Sequence, residues 1–232
     1  MRRWILVILL ILGVTAVWVA RVALLTSLGR LVVEENPLEP VELGAIVTSD
    51  PVPAAEEMAQ LVKDGYVPRV VVFSARMATD EVLDRLHITA PRPHDVAVLV
   101  LRRLGVPSEA IAVVRAADNG TNAEVRALTQ YMRQRHFVRV TVIADRIHTR
   151  RVSRLIKAQL GTPSLVIVRA ATADPYHPER WWRDRGSTRE LFEESLRWFN
   201  SFVLGDWWRV TSRSSSSGQP ISSTARFRFG ST

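Results

Sequence analysis

The chain has 232 residues, no cysteine and 47% hydrophobic side chains, enough to bury one sizeable core, and the length favours one domain with appendages over two. Without cysteine, a disulfide framework, thiolate metal ligation and thiol catalysis are all excluded. The net charge of +8 would suit nucleic acid only if it formed a broad stripe over the folded body; instead, the ends 1–30 and 209–232 hold eight arginines and no acid.

In chain order, the first element is the uncharged run WILVILLILGVTAVWVA, Trp4 to Ala20. It is long enough for a tilted transmembrane helix, at the short end of the usual ~17–25 residues. A cleavable signal peptide is the rival, since Arg2 and Arg3 supply a basic n-region; a cut after Ala20 would put Trp18 where a small residue is needed, and a cut after Ala16 stays open. A buried core helix is disfavoured because no polar face interrupts the run. Arg2, Arg3 and the amino terminus on one side, against Arg21 and Arg30 on the other, slightly favour an extracytoplasmic body behind a membrane anchor.

PLEPVELG, Pro37 to Gly44, reads as an extended linker, because its prolines oppose helix. The body then alternates short apolar runs with segments of helical period. Ala45 to Ser49, Arg69 to Ala75, Ala110 to Ala116, Arg139 to Asp145 and Leu165 to Ala170 are β-branched and apolar on both faces, as strands covered on two sides must be. Helices are expected at Pro53 to Asp64, His94 to Leu104, Thr121 to Arg135 and Thr149 to Leu160, each long enough to cross between parallel strands. Arg76 to Pro93 is long for a connection and reads as an irregular or short-helical insertion over the top of the sheet. LGVP (Leu104 to Pro107) and LGTP (Leu160 to Pro163) pair a capping glycine with a following proline and stop a helix.

Ser187 to Leu204 carries more apolar residues than one helical face needs, and Trp207 and Trp208 beyond it suit a membrane interface. The Ser-rich end has too little apolar surface to offset its ordering entropy. The expected organisation is an anchor over 1–33, a linker over 34–43, a body over 44–205 and a disordered tail over 206–232. The body is a doubly wound α/β domain on a mostly parallel five-stranded sheet.

Ligands of such sheets bind beyond the carboxyl ends of the strands, where helix N-termini present free N–H groups. Ser49 and Asp50 follow strand one, Ser74 and Arg76 strand two, and Asp118, Asn119, Gly120 and Thr121 strand three. Asp145, Arg146, His148, Arg150 and Arg151 follow strand four. Ser49, Ser74, Asn119, Thr121, Asp145, Arg150 and Arg151 are therefore candidate ligand-binding residues, and His148 with Glu124 is a candidate proton-transfer pair. Each has an ordinary structural reading as well. TNAE, Thr121 to Glu124, fits a capping box; Asn119 and Gly120 fit a turn; His148 fits a solvent-facing first turn. Arginines at a helix start oppose the macrodipole by ~0.3–1 kcal/mol and need a compensating anion, for which Asp145, Glu124 or a bound phosphate qualifies. Trp181 and Trp182 read as packing groups before ligand-stacking ones. The five histidines show no metal-ligand spacing, and no Walker loop, G-x-G-x-x-G or G-x-S-x-G is present. The sequence names no cofactor.

GVPSEAI (Gly105 to Ile111), NGTNAE (Asn119 to Glu124), a strand closing just before HTRR (His148 to Arg151), the Trp181–Trp182 pair and a last helix with Glu194 and Arg197 form an ordered set. Together they resemble the YdcF-like family of bacterial proteins over about Gly44 to Leu204. The resemblance implies a three-layer Rossmann-like domain behind a single membrane anchor and a role in cell-envelope biogenesis. The chain departs from the family pattern in having TSDPVP where a Gly-rich turn follows strand one, Ser74–Ala75 where Ser-Gly ends strand two, and Asp145 where strand four commonly ends in Thr-Ser. A carboxylate there would repel phosphate or pair with Arg151. The function expected is a membrane-anchored envelope protein with a crevice for a phosphate-bearing or nucleotide-like ligand and no nucleic-acid partner; the alternative is a non-catalytic scaffold in which the same residues are caps and ion pairs.

Overall fold

The computed structural model describes residues 2–75, 77–161 and 165–203. Arg76, Thr162 and Pro163 of the LGTP stop, Trp207, Trp208 and the Ser-rich tail lie outside the described residues.

The first helix, α1, runs Arg2–Arg30, about 44 Å at ~1.5 Å per residue. Its apolar side chains from Trp4 to Val19 are exposed, and from Arg3 to Arg30 it is long and apolar enough to cross a membrane. The helix outruns the uncharged stretch by ten residues because Arg21 to Arg30 contains no proline, and its one glycine, Gly29, is packed against Pro178 and Trp181.

Five strands, β1 (Leu43–Val47), β2 (Val70–Ser74), β3 (Ile111–Arg115), β4 (Arg139–Ala144) and β5 (Leu165–Ala170), form one sheet in the order β3-β2-β1-β4-β5. Every pairing is parallel. Helices α2 (Pro51–Lys63), α4 (Pro93–Arg103), α5 (Thr121–Arg135) and α6 (Thr149–Leu160) connect them, and the short α3 (Ala78–Arg85) lies in the insertion between β2 and α4. A last helix, α7, runs Arg185–Val203. Buried residues of α5 and α6 share one core layer with Leu43, Val71 and Val142. Those of α2 and α4 share the other with Ile46, Val70 and Ile143. Side chains alternate faces along a strand, so a helical layer on each side explains why the central strands β1 and β4 are buried almost throughout, whereas the edge strand β3, expected to be covered on both faces, stays partly exposed, with Val113 at 51%. The body is thus a three-layer, Rossmann-like α/β domain.

Strand β1 starts two residues earlier than its β-branched run suggests. Leu43 and Gly44 pair with Val140 and Thr141 of β4, while a Cβ on Gly44 would strike the Met58 sulfur and come within 2.7 Å of Val67 Cγ1. Glycine there lets α2 close on the sheet. Thr48 and Ser49 consequently fall in the loop after the strand.

Residues 31–42, between the helix and the sheet, are bonded along the body. The Glu34 amide donates to Thr149 Oγ1 at 2.9 Å, and the Glu34 carboxylate accepts from Ser153 Oγ at 2.7 Å and Lys157 Nζ at 2.8 Å. Asn36 closes the outer edge of β5, donating to the Val168 carbonyl at 3.1 Å and accepting from the Val168 amide at 3.0 Å. This satisfies an edge that would otherwise be open to pairing. Glu42 Oε2 accepts from the Val138 and Arg139 amides, and Val41 is buried. Of the segment read as a linker, only its end from Leu43 joins a strand; the rest has no helix or strand, yet it straps the outer edge.

Candidate functional site

The strand order reverses between β1 and β4, so their two following loops flank the switch point where open α/β sheets form a crevice. Here Asp145 laces the loops together. Its Oδ1 accepts from Thr48 Oγ1, and its Oδ2 accepts from the Ser49 amide at 3.1 Å and Ser49 Oγ at 2.9 Å. The cavity left beside Thr48, Asp50, Ala144 and Asp174 holds about 30 Å³, the space of about one water. Two candidates, Ser49 and Asp145, are therefore brought together, as partners of each other.

A second group assembles where α5, α6 and α7 converge above the same rim. After β4, a 3₁₀ turn at Arg146–His148 leads into α6. His148 is thereby set before the helix and Arg151 in its first turn. Glu194, in α7, is fully buried and meets both: Oε1 accepts from Arg151 Nε at 2.7 Å, and Oε2 lies 3.0 Å from His148 Nδ1. The histidine contact is short but off-line, closer to an ion-pair contact than to an aligned hydrogen bond. Arg151 also donates from Nη2 to Thr121 Oγ1 at 3.3 Å. Side-chain exposure is 21% at His148 and 18% at Arg151 against none at Glu194, so the imidazole and the guanidinium, and not the carboxylate, are what a ligand can reach.

The capping-box reading of TNAE is not realised. Gly120 is the N-cap of α5, at φ 110°, a backbone geometry that favours glycine, and its carbonyl accepts from the Ala123 and Glu124 amides. Thr121 is consequently the first helical residue, its hydroxyl turned to Arg151, and no side chain caps the helix. The Glu124 carboxyl is free of that role. Burial, followed by the nearby charge of Asp145, pushes it up to about 7.

Burial alone would also raise Glu194, but contact with His148 and the charge of Arg151 outweigh it and hold that carboxyl below the usual range. Glu190, also on α7, is raised by burial. Among the described residues the carboxylate that meets Arg151 at the start of α6 is thus Glu194, while the charge of Arg150 acts on Glu34. Arg150 turns to the strap, its amide donating to the Val32 carbonyl at 3.3 Å and its Nη2 to the Val33 carbonyl at 3.2 Å. Arg146 pairs with Glu35 at 3.1 Å.

Ser74 ends β2 and Asn119 sits exposed in the loop before α5; among the described residues neither side chain is hydrogen-bonded to the His148 group. Glu194 was visible in the sequence only as an acid of the last helix, spaced three residues from Arg197. Nothing local marks it as the partner of residues more than forty positions earlier.

A parallel, doubly wound α/β body with a carboxylate-contacted histidine on its carboxyl rim, joined to a helix of membrane-spanning length, defines the class of protein. No protein-family profile, curated protein or solved structure matches the chain.

Proposed function

We propose that the chain is a membrane-anchored envelope protein, its body outside the cytoplasm, which binds a phosphate-bearing small molecule at the junction of α5, α6 and α7 and moves a proton on it through His148. The observation that carries this reading is the fully buried Glu194 held between His148 Nδ1 and Arg151 Nε. The carboxylate contact at Nδ1 leaves Nε2 as the ring nitrogen that can exchange a proton with a ligand. The uncapped first turn of α5 supplies N–H groups and a favourable dipole for an anion. Thr121 and the remaining guanidinium N–H groups of Arg151 supply the side-chain donors.

Glu124, pushed up to about 7 by burial and the charge of Asp145, suits a second proton donor or acceptor on this rim. The laced crevice between β1 and β4 favours a compact phosphate-bearing group over a ligand that inserts a nucleoside there. The envelope assignment rests on the ordered YdcF-like set and the apolar helix together.

One observation favours a second reading, a non-catalytic scaffold: Arg151 already spends Nε on Glu194 and Nη2 on Thr121. The two readings separate with His148→Ala and Arg151→Ala in the full chain, following inorganic phosphate binding by calorimetry alongside thermal melting. The binding reading expects phosphate affinity to fall at least tenfold in Arg151→Ala, and His148→Ala to lose function while losing less stability than Arg151→Ala. Unchanged phosphate affinity in Arg151→Ala, or stability losses in both variants without a specific defect, refutes it in favour of the scaffold.

A further inference from the structure

A groove outside the His148 network lies where a 3₁₀ turn, Trp181–Arg183, meets the first turns of α7. It encloses about 390 Å³ and is lined chiefly by Trp182, Arg183, Arg185, Arg189 and Phe192. Phe192 is 66% exposed and Leu196, one turn along the same face, 51% exposed. Among the described residues Arg183 and Arg185 have no ion-pair partner, whereas Arg189 pairs with Glu193 at 2.8 Å. Asp184 also lines the groove, but its Oδ2 is engaged by the Ser187 amide at 2.7 Å. Exposed aromatic area beside unpaired guanidinium groups is the composition of a surface that meets an anionic interface.

The depth of this groove along α1 follows from the contacts. Trp181 Nε1 donates to the Leu25 carbonyl at 2.7 Å, and Tyr176 Oη to the Gly29 carbonyl at 3.1 Å. Gly29 packs so closely that a Cβ would come within 2.6 Å of both the Pro178 carbonyl oxygen and Trp181 Cδ1. The Trp182 ring stands edge-on to Trp181, 6.0 Å between centroids. The uncharged stretch of α1 ends at Ala20, and Arg21 is the first charge beyond it. Leu25 lies one turn further, about 6 Å along the axis, within the headgroup layer of about 5–8 Å on each side of the hydrocarbon. Tryptophan and arginine are the residues favoured at that level.

We propose that this groove and the Phe192–Leu196 face of α7 seat on the bilayer surface, with anionic phospholipid headgroups meeting Arg183 and Arg185 and with Trp182 and Phe192 in the interface. The proposal rests on the reading of α1 as a membrane span. It makes the body a docked one, held at the bilayer by a second contact beside its helix.

Because the chain has no cysteine, single-cysteine variants of the full-length protein take a nitroxide at one defined place. Labels at Phe192→Cys, at Leu99→Cys on the exposed surface of α4, and at Val14→Cys in α1 are compared in nanodiscs with and without phosphatidylglycerol. The measurement is the ratio of collisions with oxygen to collisions with a water-soluble nickel chelate. The expected result is a ratio at position 192 several-fold above that at position 99 when phosphatidylglycerol is present. That ratio should fall back in phosphatidylcholine alone or after Arg183→Glu with Arg185→Glu. A label at 192 as accessible to nickel as the label at 99, while the label at 14 is in lipid, overturns the docking and leaves the span intact. Equal protection in phosphatidylcholine overturns the anionic-headgroup assignment, and a water-accessible label at 14 removes the span and the docking together.

Discussion

Replacing Glu124 by glutamine tests whether the rim holds a carboxyl group against its own ionisation. Burial and the charge of Asp145 raise this group from the ordinary value near 4.5 to about 7, so the folded protein resists the charged form that the unfolded chain adopts freely. The contribution is therefore destabilising: it is absent below about pH 4.5, grows as pH rises toward 7, and is flat above. At ~1.4 kcal/mol per pH unit the full effect is about 3 kcal/mol. For a chain of this size that is about 6–12 °C in melting temperature. Thermal melts of the full chain in detergent at pH 5 and pH 8 should show Glu124→Gln close to wild type at the lower pH and several degrees above it at the higher. Asp145→Asn, which removes the second cause, should narrow the difference. A gap between wild type and Glu124→Gln that is the same at both pH values would refute the assignment of a raised carboxyl at this position.

Glu194 has the opposite sign. Its carboxyl is held low, so its contribution is present above about pH 4.5 and is lost as pH falls through the lower folded value. Glu194→Ala leaves Arg151 mostly buried without its anion and should cost ~3–5 kcal/mol, read as a lower denaturation midpoint at neutral pH. Gly44→Ala should cost ~1–3 kcal/mol by overpacking, because the new methyl meets Met58 and Val67; a melting temperature equal to wild type would show that α2 can retreat from the sheet.

The alternation of buried strands and crossing helices was legible because each element announces itself locally. Val140, Val142 and Ile143 are apolar on both faces of β4, and that suffices to require cover on both sides. Helices α5 and α6 keep the bounds their period predicts, Thr121–Arg135 and Thr149–Leu160. Leu43 and Gly44 were less legible, since Pro40 nearby argues for extended chain and only pairing with β4 makes those residues strand. TNAE misled for a related reason: the four letters satisfy a capping box, but the loop before them delivers Gly120 to the cap and leaves Thr121 facing Arg151. The strap was hidden as well. Glu34 and Asn36 look like solvated linker residues until α6 and the edge of β5 lie beside them.

The amino-acid sequence by itself determined the apolar first helix, the parallel α/β class and the rim on which the polar loops gather, because hydrophobic period, proline and glycine act over a few residues. The tertiary structure alone decided the pairings on that rim. Ser49 meets Asp145 across 96 positions, Thr121 meets Arg151 across 30, and Arg151 meets Glu194 across 43. Such contacts exist only after the sheet has taken the order β3-β2-β1-β4-β5 and α7 has brought its buried acid to the start of α6. They range from the exposed Ser49–Asp145 bonds to the mostly buried Arg151–Glu194 pair, and no local pattern of letters encodes contacts over such separations.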